Sequence, residues 1–268
     1  MLSFKFMQYA FFSGTLIAII CGIVGVFVVL RKSSFATHSL GHISLTGAAG
    51  GALIGIPCII GQLISNIIAA IIMSLLSEKI KKNDLAVSMV LTFFLGLGSY
   101  FLFLYQNNCS GSITAILFGN IFSVSLEQIY ILLAMGIIII FTLCFISKGL
   151  FFGSLDPVIA ESQNIPNSIF TMIFFIILAM TVTMACQIVG SLLIFALLVG
   201  PASIALQWTD GFYKLLFSSI VVSVFTIWTS LIFSFYANLP VNFIITVIIS
   251  CLYTIGLIKN TFFNRIKG

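Results

Sequence analysis

Two histidines, His38 and His42, carry the most distinctive chemistry in this sequence. They are the only histidines in the chain and lie four residues apart, so an α-helix places both imidazoles on one face. Imidazole is a common ligand for zinc and other transition-metal ions, and a pair at this spacing can hold one ion from a single helix. A hydrogen-bonded pair, satisfied by neighbours such as Thr37, Ser39 and Ser44, is the alternative interpretation.

The histidines follow the basic pair Arg31-Lys32 in a chain whose composition is typical of a membrane protein. Hydrophobic residues make up 61% of the 268 residues and charged residues 6%, and the mean hydropathy is +1.27. A soluble domain needs far more polar surface, so we predict an all-α, polytopic transmembrane bundle. At about 20 apolar residues per span, the chain has room for about eight or nine helices. An ionisable side chain in such a bundle is costly unless it faces a cavity, a partner or an ion.

Apolar runs separated by charged or turn-forming residues predict the spans. If Arg31 and Lys32 are cytoplasmic and the spans alternate, ten of the eleven basic residues fall in the cytoplasm, as the positive-inside rule requires. This topology makes residues 113–122 a re-entrant or interfacial segment, because they are too few to span. The weakest boundary is marked only by Gln187 and Gly190, and without it the count falls from nine to eight. The predicted spans are 8–30, 39–57, 59–77, 85–105, 126–146, 168–187, 188–208, 215–235 and 241–258.

The motifs of an enzyme or of a self-sufficient pump are missing from the sequence. It has no phosphate-binding loop of the form G-x-x-x-x-G-K-[ST], so ATP hydrolysis would need a separate subunit. The histidine pair lacks the glutamate that H-E-x-x-H metalloproteases use as a base. All six acidic residues fall in predicted loops or at span ends, whereas ion-coupled carriers commonly place a carboxylate within the membrane. We therefore favour a transporter subunit driven by a partner, with an ion-coupled carrier or channel as the alternative.

Three further features have a possible role in transport. The small residues from Gly47 to Gly51 let another helix approach closely. For most of these glycines, ordinary helix packing is the favoured interpretation. Pro201 lies inside an apolar run and frees a backbone carbonyl, which is tolerated in a kinked helix that lines a pathway. The longest polar loop, 147–168, contains Asp156-Pro157, a typical helix start. A short helix that docks a soluble partner and an ordinary solvated loop both fit this loop.

Three blocks of sequence resemble the permease subunits of ATP-binding-cassette importers for zinc, manganese and iron. The first is GIVGVFVVLRKSSF at 22–35, followed by HSLGH at 38–42. The second is LFGN at 117–120, which is similar to the family's L-F-G-D. The third is VGSLLIFALLVGPASIA at 189–205, which is similar to the family signature V-G-x-L-L-x-x-A-L-L-x-x-P-A-A-x-A. The matches occur in order across nearly the whole chain.

The resemblance implies one transmembrane permease domain over residues 1–268, in the bacterial inner membrane. Such a permease forms a homodimer in contact with membrane lipid, binds two cytosolic ATP-binding subunits and receives its ion from an extracytoplasmic metal-binding protein. It holds no permanent cofactor, and its cargo is a divalent metal ion. Nucleic-acid binding is not expected, because the basic residues fall singly or in small groups between the spans. The family's metal-site motif, D-x-x-x-H, aligns with His38 and His42. Because imidazole replaces a hard carboxylate at position 38, we predict zinc as the cargo, with manganese or iron as the other candidates.

The resemblance also implies a coupling element that contacts the ATPase. The family pattern D-P-x-x-A-x-x-x-G matches residues 156–164 except at the last position. Asparagine stands there in place of glycine, and it is the residue after glycine that most readily adopts the left-handed conformation. The coupling residues implied are Asp156, Pro157, Ala160, Glu161 and Asn164, and those implied for the pathway or for packing are Gly47, Gly190 and Pro201.

Overall fold

The computed structural model describes residues 4–80, 83–105, 119–155, 167–209 and 211–267. Within these ranges the chain is helical almost throughout and forms no β-strand. The predicted all-α transmembrane bundle is therefore confirmed. The described helices are α1 (Lys5–Leu30), α2 (Ser34–Ile54), α3 (Cys58–Ile80), α4 (Asn83–Tyr105), a 3₁₀ turn (Ile121–Ser123), α5 (Leu126–Leu155), α6 (Asn167–Val189), α7 (Ile194–Trp208), α8 (Phe212–Ala237) and α9 (Val241–Lys267).

Seven of the described helices, all except α2 and α7, are long and apolar enough to cross a membrane. This count is lower than the eight or nine spans predicted. Helix α2 has 21 residues but carries both histidines and many serine, threonine and glycine residues. Helix α7 has 15 residues and is about 22 Å long at 1.5 Å per residue, which is less than the roughly 30 Å hydrocarbon core. Helix α2 carries the histidine pair, and α7 carries most of the third family-like block, 189–205.

Helices α1 and α6 form the buried centre of the bundle. They are the most buried of the seven apolar helices, and α1 packs against α5, α6, α7 and α8. Helix α2 packs against α3 and α4, and α3 in turn packs against α6. The histidine helix therefore lies at the side of the bundle and is held there by α3, α4 and α6.

Contacts at the two ends of the bundle show which loops lie together. At one end the rings of Phe6 and Phe122 are 6.2 Å apart. At the other end, Nη2 of Arg31 donates a hydrogen bond of 2.7 Å to Oγ1 of Thr171. The end of α1 thus meets the start of α6, as expected for two helices that run in opposite directions across the membrane. This arrangement agrees with the topology predicted from the basic residues.

The α6–α7 boundary predicted at Gly190 is a turn in the structure. Helix α6 ends at Val189 and α7 begins at Ile194. Gly190 has a φ of +88°, in the left-handed region that glycine adopts without the steric cost of a Cβ. The run 168–208 is therefore two helices, as the nine-run division predicted.

The structure corrects the start of the predicted polar loop. Helix α5 has 30 residues and is about 45 Å long, so residues 147–155 continue this helix. The continuation is stabilised by packing, because Gly149 lies against the ring of Phe170. The rest of the loop up to residue 166, including the predicted coupling residues, lies outside the described residues.

Candidate metal site

The two histidines lie side by side on α2, on one face as their spacing predicts. Their ring centroids are 4.7 Å apart and the ring planes are at 86°. Two imidazoles that share an ion through metal–nitrogen bonds of about 2.0–2.1 Å have centroids roughly 5 Å apart. The spacing of the two rings is therefore compatible with a single ion bound by both imidazoles.

The histidine pair lies in the N-terminal half of α2. His42 is eight residues after the first residue of α2, Ser34, which is about 12 Å along the helix. The side chain of His38 is exposed and that of His42 is half-buried. The predicted topology places this part of α2 in the membrane, where an ionisable side chain that faces lipid is costly. Under that topology this face of α2 needs a polar pathway or a partner chain.

An aromatic side chain from α7 covers part of the pair. The ring of Phe195 lies 5.8 Å from that of His38, at an interplanar angle of 80°. The described residues contain no cluster of three or more His, Cys, Asp or Glu side chains. An ion held by His38 and His42 therefore needs further ligands, and within the described ranges no third His, Cys, Asp or Glu side chain lies with the pair to supply one.

The α6–α7 turn lies directly against the histidine helix. A Cβ at Gly41, between the two histidines, would lie 3.1 Å from the carbonyl oxygen of Ser191. Glycine inside a helix costs about 0.8–1.0 kcal/mol of stability relative to alanine. The close approach of the Ser191 backbone explains why glycine nevertheless stands at position 41. A larger residue at position 41 would push the turn away from α2.

Gly119 packs against the same turn. It has a φ of +64°, and a Cβ there would overlap the backbone of Val189 and Gly190. The next residue, Asn120, accepts a hydrogen bond of 3.2 Å from the backbone N–H of Phe122 through Oδ1. Of the predicted re-entrant segment, residues 113–118 lie outside the described residues. The described part shows that the three family-like blocks meet at one turn.

A buried hydrogen-bonded cluster fixes α2 against α3 and α6. The side-chain amide of Asn66 donates to Oγ of Ser44 at 2.6 Å and to Oγ1 of Thr183 at 3.0 Å. Nearby, Nε2 of Gln187 donates to Oε1 of Gln62 at 3.1 Å. Such interhelical bonds contribute on average about 0.6 kcal/mol each in membrane proteins. Sequence reasoning missed this cluster, although polar residues inside apolar runs were a usable signal.

Two further predicted site residues, Gly47 and Pro201, lie within the described part of the chain. Gly47 lies at the α2–α3 contact, where a Cβ would overlap Ser65 and the carbonyl oxygen of Gly61. Pro201 is buried inside α7. The five coupling residues, Asp156, Pro157, Ala160, Glu161 and Asn164, lie outside the described residues.

Comparison with known protein families covers nearly the whole sequence. The sequence pattern of the ABC 3 transport family matches residues 3–260. The chain belongs to the ABC 3 transport family. The resemblance to permease subunits of ATP-binding-cassette metal importers is thereby confirmed, and this ABC 3 member is a multi-pass permease of the bacterial inner membrane.

Individual relatives agree with this membership. The manganese import system permease protein ScaB of Streptococcus parasanguinis is 29% identical to this ABC 3 chain over 217 residues, which cover 81% of the chain and 77% of ScaB. The manganese transport system membrane protein MntC of Halalkalibacterium halodurans is 28% identical over 211 residues, with coverage of 78% and 72%. The solved structure of PsaBC from Streptococcus pneumoniae in complex with Fab superposes with a TM-score of 0.83 at 26% identity, and covers 94% of this chain and 91% of that one.

Proposed function

We propose that this chain is the membrane-spanning subunit of an ATP-driven importer that carries zinc in preference to manganese, with His38 and His42 as ligands to the ion. The observation that carries the proposal is the imidazole pair, with ring centroids 4.7 Å apart. The pair lies on α2, and the predicted topology places it in the membrane, where its exposed face needs a polar surrounding.

The preference for zinc rests on the type of ligand at position 38. Relatives such as ScaB and MntC are named for manganese, and the family pattern has aspartate where this chain has His38. Manganese suits hard oxygen ligands, whereas zinc binds imidazole readily. Iron also accepts imidazole ligands, so a transport profile should measure all three ions.

The exposed face around the histidines supports a homodimer. His38 is exposed, and Phe195 beside it is 40% exposed. A second copy that covers this face would place the ion between two protomers, away from lipid. ATP-binding subunits in the cytosol and an extracytoplasmic metal-binding protein complete the proposed importer.

Residues 156–164 are the proposed contact with the ATP-binding subunit. They follow α5 at its cytoplasmic end in the predicted topology. The Asp156-Pro157 pair favours a helix start, since the aspartate can cap the helix and proline fits its first turn. Ala160, Glu161 and Asn164 lie on the segment that follows.

Reconstitution tests the proposed function. The permease should be placed in proteoliposomes with its ATP-binding subunit and the metal-binding protein, and zinc uptake followed with and without ATP. We expect uptake only with ATP and all partners. Uptake driven by an ion gradient in liposomes that contain the permease alone would instead support the carrier alternative.

Replacing His38 with aspartate should shift the metal profile toward manganese. The carboxylate supplies the hard oxygen ligand that manganese prefers, so the ratio of manganese to zinc uptake should rise about tenfold, equivalent to ~1.4 kcal/mol of differential binding. His38→Asn is the matched control, because it has the shape of aspartate without its charge. An unchanged ratio in His38→Asp would show that position 38 does not set the preference.

A further inference from the structure

We propose that Phe195 is a positioning residue that holds the His38 imidazole beside His42 and thereby sets the selectivity of the site for ions that bind imidazole. This inference rests on the proposed function. It starts from the two ring contacts of His38, which are 4.7 Å to His42 and 5.8 Å to Phe195.

The two contacts restrict the His38 ring. His42 and Phe195 both meet it nearly edge-to-face, with interplanar angles of 86° and 80°. Edge-to-face pairs of aromatic rings are favourable arrangements. A ring with neighbours on two sides has fewer rotamers open to it than an exposed histidine without such neighbours. The pair is therefore arranged before the ion arrives.

The position of Phe195 is itself fixed by the backbone around it. It lies in the first turn of α7, four residues after Ser191. The carbonyl of Ser191 packs on Gly41, and the backbone of Gly190 packs on Gly119. Backbone contacts of this kind leave no flexible side chain to absorb a shift. The start of α7 thus holds Phe195 at a set distance from the histidine helix.

This arrangement has a consequence for selectivity. An ion that depends on both imidazoles binds more tightly when their geometry is fixed, because packing has already ordered the ligands. For an ion that prefers oxygen ligands and retains water, the increase in affinity is smaller. Removing the phenyl ring should therefore weaken the binding of zinc more than that of manganese.

The test compares truncation with conservative replacement at position 195. We would measure zinc and manganese uptake by the reconstituted importer carrying wild-type permease, Phe195→Ala or Phe195→Leu. We expect Phe195→Ala to raise the KM for zinc about 10- to 100-fold, the range that loss of a residue supporting a metal ligand produces. The maximal rate and the KM for manganese should change much less. Phe195→Leu should have a KM for zinc close to that of the wild type, because leucine restores most of the packing volume.

A second aromatic residue supplies the control. Phe225 on α8 is also exposed, at 54%, and Phe225→Ala should leave both KM values unchanged. If Phe195→Ala does not accumulate in the membrane, Phe195→Val makes the same comparison with a smaller truncation. The inference is overturned if truncation lowers the maximal rate for both ions with KM unchanged, if it has no effect, or if leucine gives no recovery. In those cases loss of uptake in the His38 and His42 variants would still support the proposed function.

Discussion

Alanine at both His38 and His42 should abolish uptake of the transported metal while the permease remains at its normal level in the membrane. Each substitution removes one of two neighbouring ligands, and an ion left with neither has no side-chain site on α2. The loss should exceed about 100-fold, since even residues that only support a ligand typically account for 10- to 100-fold in metal affinity. Growth on limiting zinc and uptake of radioactive zinc by whole cells measure it.

We expect the double variant to fold, so that a loss of uptake reports the loss of a ligand. His38 is exposed and His42 is half-buried, whereas a buried side-chain hydrogen bond between Ser44 and Asn66 joins α2 to α3. Phe35→Ala is a matched control, because Phe35 is 37% exposed and lies one turn before His38 on the same helix. It should retain uptake. Full uptake by the double alanine variant would remove the ligand assignment.

Proline at Ala160 should separate ATP hydrolysis from transport. In the middle of the proposed coupling helix, proline removes a backbone hydrogen bond and clashes with the preceding turn, at a cost of about 3 kcal/mol. Uptake should fall to background while the affinity of the permease for metal stays near that of the wild type. The two properties separate because the coupling segment and the histidines are about half a bilayer apart, on the order of 15 Å.

The coupling variant has its own control. Ala160→Ser keeps the helix and should couple normally. ATPase activity and uptake are measured on the same proteoliposomes, and metal binding on the purified complex. Normal uptake by Ala160→Pro would show that residues 156–164 do not form the helix that contacts the ATPase.

Sequence patterns predicted most of the fold because each span is a local property. The apolar runs correspond one for one with the nine described helices. Gln187 and Gly190 were the only signals of a turn between α6 and α7, and Gly190 lies at that turn with a positive φ. Local patterns were less reliable at helix ends. Helix α5 continues through residue 155 because its packing against α6 outweighs the polar residues near 147.

The surroundings of the site could not be predicted in the same way, because they come from contacts between distant parts of the chain. Nothing near His38 in sequence indicates that Phe195 lies beside it. The close approach of Ser191 to Gly41 was equally hidden, although a glycine inside a helix between two candidate ligands is a signal for such an approach. Small residues predicted close packing only from Gly47 to Gly51, where Gly47 and Gly51 both face Gly61 of α3.

The most direct measurement of the central claim is the X-ray absorption spectrum of zinc bound to the purified permease complex without the metal-binding protein. If His38 and His42 hold the ion, the spectrum contains nitrogen at about 2.0–2.1 Å together with the outer-shell scattering of imidazole rings. These features disappear in the double alanine variant. A spectrum with only oxygen or sulfur ligands, or one that the double substitution leaves unchanged, would contradict a metal site on the second helix.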